Sequence, residues 1–169
     1  MYRYFMSVIL LLTISLCLYG QDTGKTSMKA KYKTVYKEAL DAMTSGNIDG
    51  LDKIIAQDMI EHDPSPTMSK KTGFEEVKEI FTFYHKVFPD LKAKVHNIAV
   101  SGDYLFAYLT FSGTTSEPYM GMPAGSKMKM NQVDLVRFNG DKIAEHWGFT
   151  SNKDMMEMMQ KNSSMGSKK

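Results

Sequence analysis

The hydrophobic period of this chain changes from mostly helical to mostly strand-like at Pro89, and that change constrains the fold more than any other feature. Before it, apolar residues recur at helical spacing; after it, they alternate as in strands. Met28, Tyr32, Val35, Tyr36, Ala39 and Met43 mark a first amphipathic helix running to about Thr44, where Ser45-Gly46-Asn47 ends it. A short helix follows, with Leu51, Ile54 and Ile55 facing inward. Residues 58–66 (DMIEHDPSP) read as extended, turning at Pro64 and Pro66. Thr72 and Glu75 have capping-box spacing ahead of a third helix striped by Phe74, Val77, Phe81, Tyr84 and Phe88.

Beyond Pro89 the spacing predicts strands over 91–100, 104–112, 127–138 and 142–149. Ser101-Gly102-Asp103 and Asn139-Gly140 are turns, the second a two-residue hairpin signal, and a loop with Pro118, Gly121, Pro123 and Gly125 separates the middle strands. Ser151 and Asp154 suit the start of a last short helix holding Met155, Met156, Met158 and Met159. Helices first and consecutive strands afterwards define an α+β fold. The expected form is a cone-shaped curved antiparallel sheet wrapped around the N-terminal helices. Its mouth is a natural small-molecule site.

With 169 residues the chain has room for one domain. Hydrophobic residues at 43% and charged residues at 24% belong to a globular protein and exclude low-complexity disorder or collagen-like repeats for the whole chain. Twenty-one basic against 19 acidic residues give a net charge of +2, too even for a strongly basic nucleic-acid binder.

The first twenty residues differ from the rest. Arg3 is their only charge, and residues 5–19 form a largely apolar run of 15, which suits a signal peptide and falls short of the about 20 that a membrane span needs. Gly20 supplies a small residue before a cleavage point at Gln21. The expected organisation is a signal peptide over 1–20, a flexible linker over 21–27, the folded domain over 28–161 and a disordered tail over 162–169. The protein is then exported, periplasmic or secreted, with no stable membrane span after cleavage. An uncleaved anchor and a lipid on Cys17 are the alternatives; the bulky Leu16 suits the second poorly. Cleavage removes Arg3 and Cys17, leaving 149 of the 169 residues, a charge of +1 and no cysteine. Thiol nucleophiles, disulfides and cysteine metal sites are excluded in that product.

Three stretches resemble the SnoaL-like polyketide cyclase family of the nuclear-transport-factor-two-like superfamily. They are VFPDLKAKVHNIAVSGDYLFAYLTFSGT (residues 87–114), GMPAGSKM (121–128) and QVDLVRFNGDKIAEHW (132–147). The resemblance spans roughly residues 30–160. It implies a cone-shaped α+β barrel, a homodimer formed through the sheet, and a pocket for an apolar small molecule. It also implies ring closure by intramolecular aldol condensation with an aspartate as acid/base and no cofactor. The family's pocket glutamine falls on Gln132, and its pocket histidine position holds Asp134 here. Its aspartate position, directly after His146-Trp147, holds Gly148.

Strand alternation puts His146 on the face of position 148, and Gln132 and Asp134 on one face of the neighbouring strand. His146 and Asp134 are therefore the candidate catalytic pair, because an aspartate beside an imidazole raises its basicity. The bland reading makes them a satisfied barrel histidine and its support. Gln132, His62, Tyr108 and Trp147 are candidate substrate contacts. His62 equally suits a loop histidine pinning the turn before Pro64. Tyr104, Phe106 and Tyr108 fall on one strand face and Leu105, Leu109 and Phe111 on the other, one set lining the cavity or packing as core. No metal is expected: Glu61, His62 and Asp63 are adjacent, and alternating side chains cannot all face one ion.

Fifteen methionines are unusual. Thioethers suit Cu(I), but adaptable apolar packing is the plainer role of Met120, Met122, Met128, Met130 and the four in the last helix. Three readings follow: a cofactor-independent cyclase, isomerase or lyase; a non-catalytic binder of apolar ligands; and a methionine-based metal binder.

Overall fold

The computed structural model describes residues 2–67, 70–154 and 156–157, with side chains from residue 24 onward. Helix α1 (Tyr2–Ser45) leads into the single turn α2 (Leu51–Ile54), strand β1 (Ile55–Glu61) and helix α3 (Phe74–Val87). Four strands complete the fold: β2 (Lys92–Ser101), β3 (Tyr104–Thr114), β4 (Lys127–Asn139) and β5 (Lys142–Thr150). Residues 152–154 and 156–157 are helical, where the short last helix was expected; of its methionines only Met156 is described, and it is exposed.

The sheet order is β1-β5-β4-β3-β2. β2 to β5 form the antiparallel meander that the period of two predicts. The fifth strand arises from the segment read as extended before Pro64. It pairs parallel to β5, so the sheet is mixed, and it does not close on itself. Parallel pairing needs a long crossover, and α3 with the meander supplies it.

One face of the sheet carries the core. Leu105, Ala107 and Leu109 of β3 are fully buried, while Tyr104, Phe106 and Tyr108 between them are exposed. Tyr32, Val35, Tyr36, Ala39 and Leu40 of α1 cover that inner face, and Tyr32 stacks on Phe138 with ring centroids 4.0 Å apart. Helix α1 is continuous through residues 24–27, part of the stretch expected as a linker. Among the described residues no helix is long and apolar enough to cross a membrane. The side chains of the leader, and residues 162–169, lie outside the description.

Two local expectations change: Ile55 opens β1 instead of ending the short helix, and the start of α3 differs. Thr72 and Glu75 do not form the capping box. The N-cap of α3 is Gly73 at φ +67°, with no side-chain cap. A Cβ there would overlap the backbone carbonyl oxygen of Gln57, so close packing on β1 selects glycine over a capping hydroxyl. In the 118–125 loop, Met120 (φ +46°) and Gly121 (φ +77°) make a tight turn closed by two backbone hydrogen bonds between Tyr119 and Met122. Met120 faces solvent while Met122 and Met128 are buried in the core, so these methionines do not converge.

Candidate functional site

The concave face of the sheet and the two long helices enclose an apolar cavity of about 1010 Å³ of atom-free space, counted with its open mouth. Met43 and Leu40 of α1, Phe81 and Ile80 of α3, and Met59 and Phe111 of the sheet supply much of the wall. Its polar side gathers Glu61, Asp63, Gln132, Asp134, His146 and Tyr36 from four elements and one loop.

β4 presents Met130, Gln132, Asp134 and Val136 to the cavity at every second residue. β5 does the same with a correction at Ala144. The pairing shifts between Arg137 opposite Glu145 and Phe138 opposite Ile143, so Ile143 and His146, three apart, both face inward. β1 brings Met59 and Glu61, and the alternation continues to Asp63 just past its end.

Asp134 is buried, and both its oxygens are occupied. Tyr36 Oη donates to Oδ2 at 2.7 Å and Gln132 Nε2 donates to Oδ1 at 2.6 Å. Burial and then the charge of Asp134 push the Tyr36 hydroxyl far above its ordinary value, so it stays a donor. His146 Nδ1 lies 2.9 Å from Glu61 Oε2, and its Nε2 lies 3.7 Å from Asp134 Oδ1. The second distance is too long for a full hydrogen bond and acts through charge. Burial alone would lower the imidazole pKa, but Asp134 and Glu61 outweigh it and raise it to about 10. His146 is therefore an imidazolium at neutral pH, a proton donor rather than a base. Asp63 Oδ2 accepts the Gly148 amide at 2.9 Å. Burial, then the charge of Glu61, raises the Asp63 carboxyl, against the opposing pull of His146 and that amide.

Glu61, Asp63 and His146 each offer a ligand atom within 4.8 Å of the others. Alternation, which turns His62 away, is what lets Glu61 and Asp63 share a face. A cation here would have to displace the proton that both neighbouring carboxylates hold on His146.

Of the residues singled out in the sequence, His146, Asp134 and Gln132 meet in the cavity. His62, Trp147 and Tyr108 sit on the opposite face of the sheet. There His62 stacks on Trp147 at 4.2 Å and pairs with Glu145 at 2.8 Å, and Glu145 also takes Arg137. These hydrogen bonds, His62 first, hold the Glu145 carboxyl below its usual range. Tyr108 lies beside His96 at 5.0 Å and is exposed. Tyr36, Glu61 and Asp63 were not singled out for the site: the first reads as one more apolar stripe position, the other two as members of three adjacent polar residues. The spacing of Glu61 and Asp63, two apart at a strand end, was the available signal.

Helices capping a curved sheet, with ionisable groups on one wall of an apolar cavity, define an α+β small-molecule pocket protein. The sequence pattern of the SnoaL-like polyketide cyclase family matches residues 33–161, and the chain belongs to that family. Solved structures agree on the fold. TsrD from Streptomyces laurentii superposes with a TM-score of 0.66 at 22% identity, over 76% of this chain and 93% of that one. IdmH from Streptomyces antibioticus gives 0.64 at 25% identity, over 76% and 98%. A SnoaL-like polyketide cyclase from Agrobacterium tumefaciens gives 0.63 at 17% identity, over 76% and 97%. No curated protein sequence matches the chain.

Proposed function

We propose that this protein is an exported, cofactor-independent cyclase, isomerase or lyase that moves protons on an apolar carbonyl compound in the cavity. The observation that carries this reading is the placement of His146, 2.9 Å from Glu61 and 3.7 Å from Asp134, on the polar wall of an otherwise apolar chamber. Catalysis at a carbonyl needs a donor placed where the enolate oxygen forms, in a site of low dielectric. His146 Nε2–H, only loosely engaged by Asp134, suits that role. Asp134, tied by Tyr36 and Gln132, then orients the imidazolium rather than taking protons itself.

The test is deuterium uptake at the α-carbon of 2-tetralone in D2O, followed by NMR with and without the protein. Wild type speeds uptake over buffer, and His146→Gln lowers that rate about 100-fold, within the range of general acid–base contributions. Saturable binding of 2-tetralone without any rate effect would instead assign the cavity to a non-catalytic binder, the reading that Gly148 at the family's aspartate position favours.

Two further parts of the reading concern setting. Export rests on Arg3 and the apolar run 5–19, and is tested by N-terminal sequencing of protein from an exporting host. A homodimer rests on the outer sheet face, where Phe106, Tyr108, Val133 and Phe149 stand exposed together. Sedimentation of wild type against Phe106→Glu tests it.

A further inference from the structure

We propose that Asp63 is the base of this cavity, the carboxylate that removes a proton from substrate carbon. The inference rests on the catalytic reading above and assigns the one role that reading leaves open.

Three carboxylates face the chamber, and hydrogen bonding separates them. Asp134 has both oxygens engaged by Tyr36 and Gln132. Glu61 has both within 3.0 Å of His146 Nδ1, and Oε1 also takes the Asp63 amide at 3.1 Å. Asp63 uses only Oδ2, on the Gly148 amide; among the described residues its other oxygen receives no hydrogen bond. A carboxylate in the cavity lining with an oxygen that takes no hydrogen bond is the one free to accept a proton.

The seat of Asp63 is built. Pro64 follows it and biases it towards an extended backbone, and the Gly148 amide fixes one oxygen. A Cβ at position 148 would overlap Asp63 Oδ2 and come within 2.8 Å of Gln132 Nε2, so a side chain there would displace both of these side-chain ends. Glycine on β5 and aspartate after β1 are therefore two halves of one arrangement. The carboxylate stands where a side chain from position 148 would otherwise point. The groups facing it are Glu61 of β1, Asp134 of β4, His146 of β5 and Tyr84 of α3. Burial, then Glu61 and more weakly Asp134, favour the protonated form after transfer, against the pull of His146 and the Gly148 amide.

The step balances without a co-reactant. Asp63 takes the α-proton as the C–H bond breaks. The bonding pair forms the carbon–carbon double bond of an enolate, and the carbonyl pair moves to oxygen, facing His146 Nε2–H. When the enolate carbon attacks a second carbonyl, Asp63 returns the proton to the new alkoxide.

The probe is 5-nitrobenzisoxazole, which a base opens by taking a carbon-bound proton and releasing a coloured phenolate. Asp63→Asn keeps an acceptor for the Gly148 amide and should lower kcat about 100-fold or more. Its rate should also lose a rise with pH centred above the usual carboxylate range. Gly148→Ala, which displaces the Asp63 carboxylate without removing it, should lose a comparable factor while circular dichroism stays native. The double variant Asp63→Ala with Gly148→Asp, which carries the carboxylate on the other strand, should regain part of the rate. Wild-type turnover that Asp63→Asn leaves unchanged overturns this proposal alone. Turnover lost to EDTA and restored by Zn²⁺ overturns it in favour of a cation at Glu61, Asp63 and His146. No wild-type rate above buffer overturns it outright. Opening of the probe without deuterium uptake by 2-tetralone upholds the base and overturns the carbonyl reading.

Discussion

The Tyr36 hydroxyl donates to Asp134 Oδ2 at 2.7 Å across 98 residues of sequence, joining helix α1 to strand β4 beneath the cavity. Both groups are buried. Removing the donor leaves a buried carboxylate oxygen without its hydrogen bond. Tyr36→Phe should therefore destabilise the fold by about 1.5–3 kcal/mol, the range for a hydrogen bond to a charged group. Urea unfolding measures it, and a loss below about 0.5 kcal/mol would show that Asp134 finds another donor.

Stability should depend on the charge of His146. Its folded-state pKa is raised from 6.5 to about 10. The contribution is then fully present below about pH 6.5, where imidazole is protonated in both states. It is lost as pH rises through about 10, because the folded protein alone must give up its proton. Unfolding free energy should fall across that window in wild type, and the fall should shrink in His146→Gln. Equal slopes in both would locate the dependence elsewhere.

Gly73 is predicted to be irreplaceable at the start of α3. At φ +67° and ψ −145° it holds a backbone conformation that side chains avoid, and a Cβ would meet the Gln57 carbonyl. Gly73→Ala should cost at least about 1–3 kcal/mol from strain alone. Gly140→Ala, at φ +63° with nothing near its Cβ, isolates the backbone cost without a clash and should cost less. The comparison is read from paired melting curves.

The two faces of β3 should respond oppositely. Leu109 is fully buried, so Leu109→Ala should cost about 2–5 kcal/mol. Tyr108, next to it, is 45% exposed, and Tyr108→Ala should change unfolding free energy far less. Similar losses at both positions would mean that the outer face is also covered.

His62 and His146 test the placement of function. His62 lies on the outer face against Trp147 and Glu145. His62→Ala should leave 2-tetralone exchange within about twofold of wild type, well short of the loss expected for a general acid or base. A larger drop in exchange would bring the outer face into the chemistry.

The sequence by itself determined the three helices and the four strands of the meander and their order, but not the strand β1, which it gave only as an extended segment. Period is a local property: a helix or strand with one buried face must repeat its apolar residues at its own spacing, whatever it packs against. That is why the switch at Pro89, the α1 stripe and the Asn139-Gly140 turn were readable, and why Gln132, Asp134 and His146 were placed on shared faces. Only the tertiary structure decided that β1 joins β5 in parallel, because pairing between distant segments leaves no periodic mark. It decided that His62 and Trp147 face away from the cavity, since alternation says which residues share a face but not which face is inside. It also decided that Asp63 fills the space at Gly148: two residues 85 apart become one site through contact, and contact is set by how the whole sheet packs.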